Sequence, residues 1–302
     1  MRLLWIAMFC TIPCILLAQT AAPDQPQTET RQTPPQEDHS TLNVKPGQEV
    51  IKPKDLWTDT GYFHPFVRMP KYIVQDQKAI WTSPFHTAKS DIKYWVVFGG
   101  VVGGLIAADR HIEPHVPSSS TQVSVSNWAS RVGSAYTLVP TSAAFYFIGT
   151  KARSDRFRET GLLCFEALLD SNLTAEAVKL VADRARPLQD NGRGGFENAT
   201  SRWDSSFPSG HSINTWAMAS IIAHQYPRPR IVPILTYALA TTVVVSRVGA
   251  RQHFPADVVA GAAMGWFIGD FVYGRRHNSE LDPKRSAADK ILAHVRLGGG
   301  AF

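Results

Sequence analysis

Between Lys179 and Asp257, three short islands of charged and polar residues interrupt apolar segments of helical length, and any fold of this chain must bring them to a place that a ligand can reach. The first island holds Lys179, Arg186 and Pro187, the second Pro208, Ser209, Gly210 and His211, the third Ser246, Arg247, His253 and Asp257. Lys179 and Arg186 stand two helical turns apart, so the run from Gly161 to Ala185 is expected to present both cations on one face and to stop at Arg186, ahead of Pro187. The pattern from Ser212 to Ile222 predicts a helix, which puts Ser209, Gly210 and His211 at its N-terminus, where free N–H groups suit an oxyanion. Arg247 ends the apolar run from Ile231 to Val245. Pro255 suits the first position of a further helix, leaving His253 just outside it and Asp257 in its first turn, near enough to orient the imidazole. Three fixed cations, a helix start and two histidines are the groups that hold a phosphoryl group.

Lys179-x6-Arg186-Pro187, Pro208-Ser209-Gly210-His211 and Ser246-Arg247-x5-His253-x3-Asp257 resemble, in order and without a gap, the three signature motifs of the type 2 phosphatidic acid phosphatase superfamily. That superfamily includes lipid phosphate phosphatases, bacterial acid phosphatases and vanadium haloperoxidases. The resemblance covers residues 93–276 and implies an all-α fold, a bundle of about six core helices with the phosphate site at one end. It implies that Lys179, Arg186 and Arg247, with the Ser209 hydroxyl and the Gly210 N–H, bind the phosphoryl oxygens. It further implies that His253, oriented by Asp257, is the nucleophile of a phosphohistidine mechanism, and that His211 protonates the leaving oxygen and then activates water. No metal and no other cofactor is implied, because three cations already supply the charge.

Around this region the chain divides by composition. Residues 1–22 read as a secretory signal peptide cleaved near Ala18 to Ala22, with an uncleaved anchor as the alternative. Residues 23–50, rich in Pro and Gln, read as a disordered tether, and residues 51–92 as an extended aromatic segment packed on the core. Residues 277–302 form a basic tail with a short helix from about Ser286 to Arg296. Cys164, in an apolar helical run, reads as a buried inert thiol. His111, Glu113 and His115 read as a polar loop, since Pro114 breaks the face that two metal-binding histidines need. The loop 188–207, between two motifs, is the candidate for substrate selection, with a passive connector as the alternative.

The net charge of +6 is too diffuse for a nucleic-acid partner, and nothing in the sequence sets an oligomeric state. The expected partner is a phosphorylated small molecule or lipid, with peripheral membrane contact as an option. A membrane span takes about 20 apolar residues. The segments Tyr94 to Ala108 and Ile231 to Val245 fall short of that, so the expectation is an exported, soluble or peripheral periplasmic domain, with an integral protein as the alternative. The expected activity is metal-independent hydrolysis of phosphomonoesters or diphosphates. A vanadate-dependent haloperoxidase and an inactive binding protein are the alternatives, and the substrate class stays open among lipid phosphates, isoprenoid diphosphates, lipid A phosphates and soluble monoesters.

Overall fold

The computed structural model describes residues 64–282. The expected signal peptide, tether and tail helix lie outside the described residues. Within them the chain is built from α-helices and short 3₁₀ turns: α1 (His64–Thr82), α2 (Ile92–Ile112), α3 (Ser120–Ser130), α4 (Ala135–Lys151), α5 (Asp155–Ala182), α6 (Gly210–Gln225), α7 (Ile231–Gly249) and α8 (Pro255–Arg276). The all-α expectation holds.

The central helix is α5, against which α1, α4, α6 and α8 pack. Leu162, Leu163, Cys164, Ala167 and Leu168 face Ile213, Ala217 and Ile221 of α6 and Ile268 and Val272 of α8 in one apolar core. Cys164 is free and buried, as expected. The α6/α8 contact is the tightest in the bundle. A Cβ on Gly261 would lie 2.7 Å from the Ser209 carbonyl oxygen, and one on Gly265 or Gly269 would overlap the carbonyls of Ile213 or Ala217. Glycines one turn apart therefore let these two backbones touch.

Residues 64–82, expected as extended, form α1. Its inner face carries Met69, Tyr72 and Asp76, three or four residues apart, with Gln77 donating to the Asp170 carboxylate at 2.9 Å. Val67, Val74 and Trp81 are exposed on the other side, and Pro70 lies inside the helix, which together hide its period in the sequence. Within α1, Asp76 meets two arginines from the last turn of α8, Arg276 at 2.9 Å and Arg275 at 3.2 Å, and Arg276 also reaches Glu166 at 2.9 Å.

The expectation of a soluble or peripheral periplasmic domain is overturned. Ile92–His115 has a mean hydropathy of 1.4 with 11% of its apolar window buried, and Ile231–Gly249 has 1.7 with 17% buried. A soluble bundle would cover such helices. Here Tyr94, Val96, Val97 and Val101 of α2 and Ile234, Leu235, Leu239 and Val245 of α7 all face outward. At 1.5 Å per residue, α2 is about 30 Å long, the thickness of a bilayer's hydrocarbon core. Counting only the uncharged run understated both helices, because α2 continues through Asp109 and α7 through Arg247, and both of those side chains are buried. Both helices are read as membrane spans of an integral membrane protein.

Candidate active site

The site lies where the C-terminal ends of α5 and α7 meet the N-terminal ends of α6 and α8. Lys179 is in the last turn of α5, with Nζ 2.7 Å from Glu176 Oε1 and 3.6 Å from where a Gly210 side chain would begin, beside the first turn of α6. The helix does not run on to Arg186. It stops at Ala182 because Asp183 turns left-handed (φ 43°), a conformation that aspartate tolerates, and its N–H caps the Lys179 carbonyl at 2.9 Å. Arg186 thus reaches the site from a loop rather than from the same helical face as Lys179. That loop fixes it: Nη1 donates to the Gln252 carbonyl at 3.1 Å and Nη2 lies 2.9 Å from the Asp204 carboxylate.

Ser209 is the N-cap of α6, as the sequence predicts, and it accepts from the Ser212 N–H at 3.5 Å. Its own N–H donates to the Asp257 carbonyl at 3.0 Å, tying the second motif to the third. Gly210 and His211 begin the helix. Arg247, in the last turn of α7, is buried with Nη1 donating to Ser130 Oγ at 3.3 Å, and its Nε has no partner among the described residues. An arginine nitrogen left unpaired at the mouth of a helix start is a place for an oxyanion.

His211 and His253 report how closely these charges converge. Burial first, then Arg247, His253, Lys179 and Arg186, pull His211 down to about 3. Burial pulls His253 down to about 4, opposed by Asp257 and aided by Arg247 and Arg186. Lys179, Arg186 and Arg247 therefore bring their charge to bear on His211, and the two arginines on His253 as well.

Asp257 stands where expected but is bonded otherwise. Pro255 opens α8, His253 lies just before it and Asp257 is in the first turn, but the His253 Nδ1 to Asp257 Oδ2 distance is 3.8 Å, too long for a hydrogen bond. Nδ1 instead meets the main-chain carbonyl of Ser206 at 2.8 Å. The Asp257 carboxylate is occupied by Arg184 Nη1 at 2.6 Å, the Phe254 N–H at 2.8 Å and the Ser206 hydroxyl. Arg184, Ser206 and Asp109 were missed in the sequence. Their one signal is the extra arginine between Lys179 and Arg186, next to a helix break, and the carboxylate of Asp109 closing an apolar run.

Residues 160–280 match the PAP2 superfamily. Over 111 residues the chain is 37% identical to a lipid A 1-phosphatase of Rhizobium johnstonii, covering 35% of this chain and 44% of that one. Over 121 residues it is 36% identical to a lipid A 1-phosphatase of Rhizobium etli, covering 38% and 51%. The chain spans about half the length of these curated relatives. Among solved structures it is similar to a transmembrane PAP2 type phosphatidylglycerolphosphate phosphatase from Bacillus subtilis (20% identity, TM-score 0.43, 74% of this chain and 100% of that one). It is also similar to LpxE of Aquifex aeolicus (21% identity, TM-score 0.42, 55% and 92%).

Proposed function

We propose, from the premise that the chain belongs to the PAP2 superfamily, that it is a membrane-embedded lipid phosphate phosphatase working through a phosphohistidine without a metal. The observation that carries this reading is the convergence of Lys179, Arg186 and Arg247 on His211 and His253, with Arg247 Nε unpaired. The three cations, the Ser209 hydroxyl and the Gly210 N–H hold the non-bridging oxygens and take up charge as it builds in the transition state. His253 attacks phosphorus through Nε2, the bond to the leaving oxygen breaks, and His211 delivers a proton to that oxygen. His211 then takes a proton from water, which attacks the phosphohistidine, releases inorganic phosphate and restores His253.

The substrate is read as a phosphorylated lipid, since a site at the end of a membrane bundle meets head groups, and lipid A 1-phosphate is the first candidate because the matched relatives carry that name. The haloperoxidase alternative is not favoured, those relatives being named as phosphatases. The test uses full-length protein in detergent with lipid A, phosphatidic acid, an isoprenoid diphosphate and p-nitrophenyl phosphate. Quenching in alkaline detergent during turnover should trap a phosphoenzyme that is stable to alkali and lost on acidification and that His253→Ala lacks, and turnover should survive EDTA. Loss of activity in chelator, restored by a divalent ion, would overturn the mechanism.

A further inference from the structure

We propose that Glu113 and Arg251 are positioning residues for two phosphate-binding arginines: their ion pair holds Arg251 in a left-handed turn from which the next residue, Gln252, fixes both Arg247 and Arg186. The proposal rests on the phosphate-site reading of those two arginines. The turn begins where α7 ends, at Gly249. Ala250 is the cap, and Arg251 follows with φ 56°, a conformation that glycine enters freely and that costs any residue with a Cβ. The Arg251 N–H donates to the Val248 carbonyl at 2.8 Å and the Gln252 N–H to the Arg247 carbonyl at 3.2 Å. These are the paired bonds of a Schellman cap, in which the left-handed position is usually glycine. Gln252 thus binds the main chain of Arg247 through its N–H and the Arg186 guanidinium through its carbonyl, at 3.1 Å.

An arginine in this conformation beside a ligand site has to be held there. Glu113, first residue of the 3₁₀ turn after α2, is 7% exposed, and its Oε1 pairs with Arg251 Nη2 across 138 positions of sequence. Arg251 Nε is buried without a partner among the described residues, so the ion pair is what anchors the guanidinium. The loop 188–207 closes on the same carboxylate: Gly192, with φ 77°, comes so near that a Cβ there would lie 2.5 Å from Glu113 Oε2. Enclosed in this way, Glu113 needs its counter-ion, and the pair offsets the cost of the left-handed arginine. Without it the turn relaxes, and Gln252 loses its hold on Arg247 and Arg186. The binding-competent fraction of the protein then falls, and phosphate affinity falls by the same factor.

The experiment compares wild type with Glu113→Gln/Arg251→Ala and Glu113→Gln/Arg251→Gly, all full-length in detergent, by calorimetric titration with orthovanadate, a phosphoryl mimic. Both double variants lack the ion pair and leave no charge unpaired, so they differ only in the Cβ at position 251. The alanine variant should bind vanadate roughly fivefold or more weakly than the glycine variant, which needs no ion pair to stay left-handed. It should also melt about 2 °C or more lower. An ion pair that merely staples the fold would weaken both variants alike, so equal vanadate affinity in the two folded variants overturns the proposal. Should neither fold, Glu113→Gln alone decides: lower vanadate affinity is expected, and unchanged affinity overturns the proposal. Wild type that binds vanadate but forms no phosphohistidine sinks the enzymatic reading and not the turn. Wild type that binds no vanadate sinks the phosphate-site reading instead, while the melting temperatures still judge the turn, equal values overturning it.

Discussion

At the scale of single residues, the site is held in a state that its substrate must change. His211 is pulled to about 3 and His253 to about 4, both first by burial. Both are therefore neutral at pH 7, which suits a nucleophile and not an acid. A bound phosphoryl group offsets Arg247, Lys179 and Arg186, the cations that depress His211, and so supplies the condition under which His211 can hold a proton to donate. The linkage has a definite sign. Unfolded histidine titrates near pH 6.5. Folded forms with lowered values bind fewer protons than the unfolded chain, so stability is full above about pH 6.5 and is lost as pH falls from there toward about 4 for His253 and about 3 for His211. Melting temperature should fall over that window, phosphate should restore part of it, and His211→Asn should flatten the dependence. An equally steep fall in His211→Asn would show that other groups carry it.

At the scale of elements, the α6/α8 contact sets the spacing between the second and third motifs. A methyl group on Gly265 would strike the Ile213 carbonyl and reach 3.0 Å from the Ala217 nitrogen, whereas Gly103 on α2 has nothing within 4 Å. Overpacking of this kind costs about 1–3 kcal/mol. For a chain of this size that amounts to about 2–4 °C of melting temperature per kcal/mol. Gly265→Ala should therefore melt lower and lose activity, since Ile213, which the added methyl strikes, lies one turn from Ser209 and its backbone bond to Asp257, and Gly103→Ala should do neither. Equal behaviour of the two variants in detergent would refute the close approach. Motifs at helix starts were legible in the sequence because Pro255 and Ser209 are local signals of where helices begin, whereas Pro187 put the end of α5 four residues too late. The left-handed Asp183 was not legible, since aspartate only tolerates that conformation and does not require it. Nor was the Asp109–Arg184–Asp257 chain, whose members lie 75 and 73 positions apart and meet only once the bundle is packed.

At the scale of the molecule, the apolar segments were legible and the solvent around them was not, because a charged residue ending an apolar run can mean either a water-facing helix end or a side chain spent inside a site. Asp109 and Arg247 are of the second kind. Once α2 and α7 are spans, the distribution of the remaining charge orients them. Lys151, Arg153 and Arg156 cluster at the junction of α4 and α5, Arg228 and Arg230 precede α7, and Lys89 and Lys93 flank the start of α2, all at the end of the bundle away from the site. At the site end, beyond the cations already assigned, the described loops hold chiefly Arg110, Arg131, Arg193 and Arg251, and Arg251 is paired with Glu113. Short loops rich in lysine and arginine stay on the cytoplasmic side. The site should therefore open on the opposite face. With Cys10, Cys14 and Cys164 changed to serine, Ser119→Cys at the site end should react with a membrane-impermeant maleimide in sealed right-side-out vesicles, and Arg230→Cys should react only after detergent is added. Both positions are exposed, so access to the reagent depends on the bilayer alone. The reverse pattern would put the site in the cytoplasm, and labelling of both before detergent would mean that α7 does not cross.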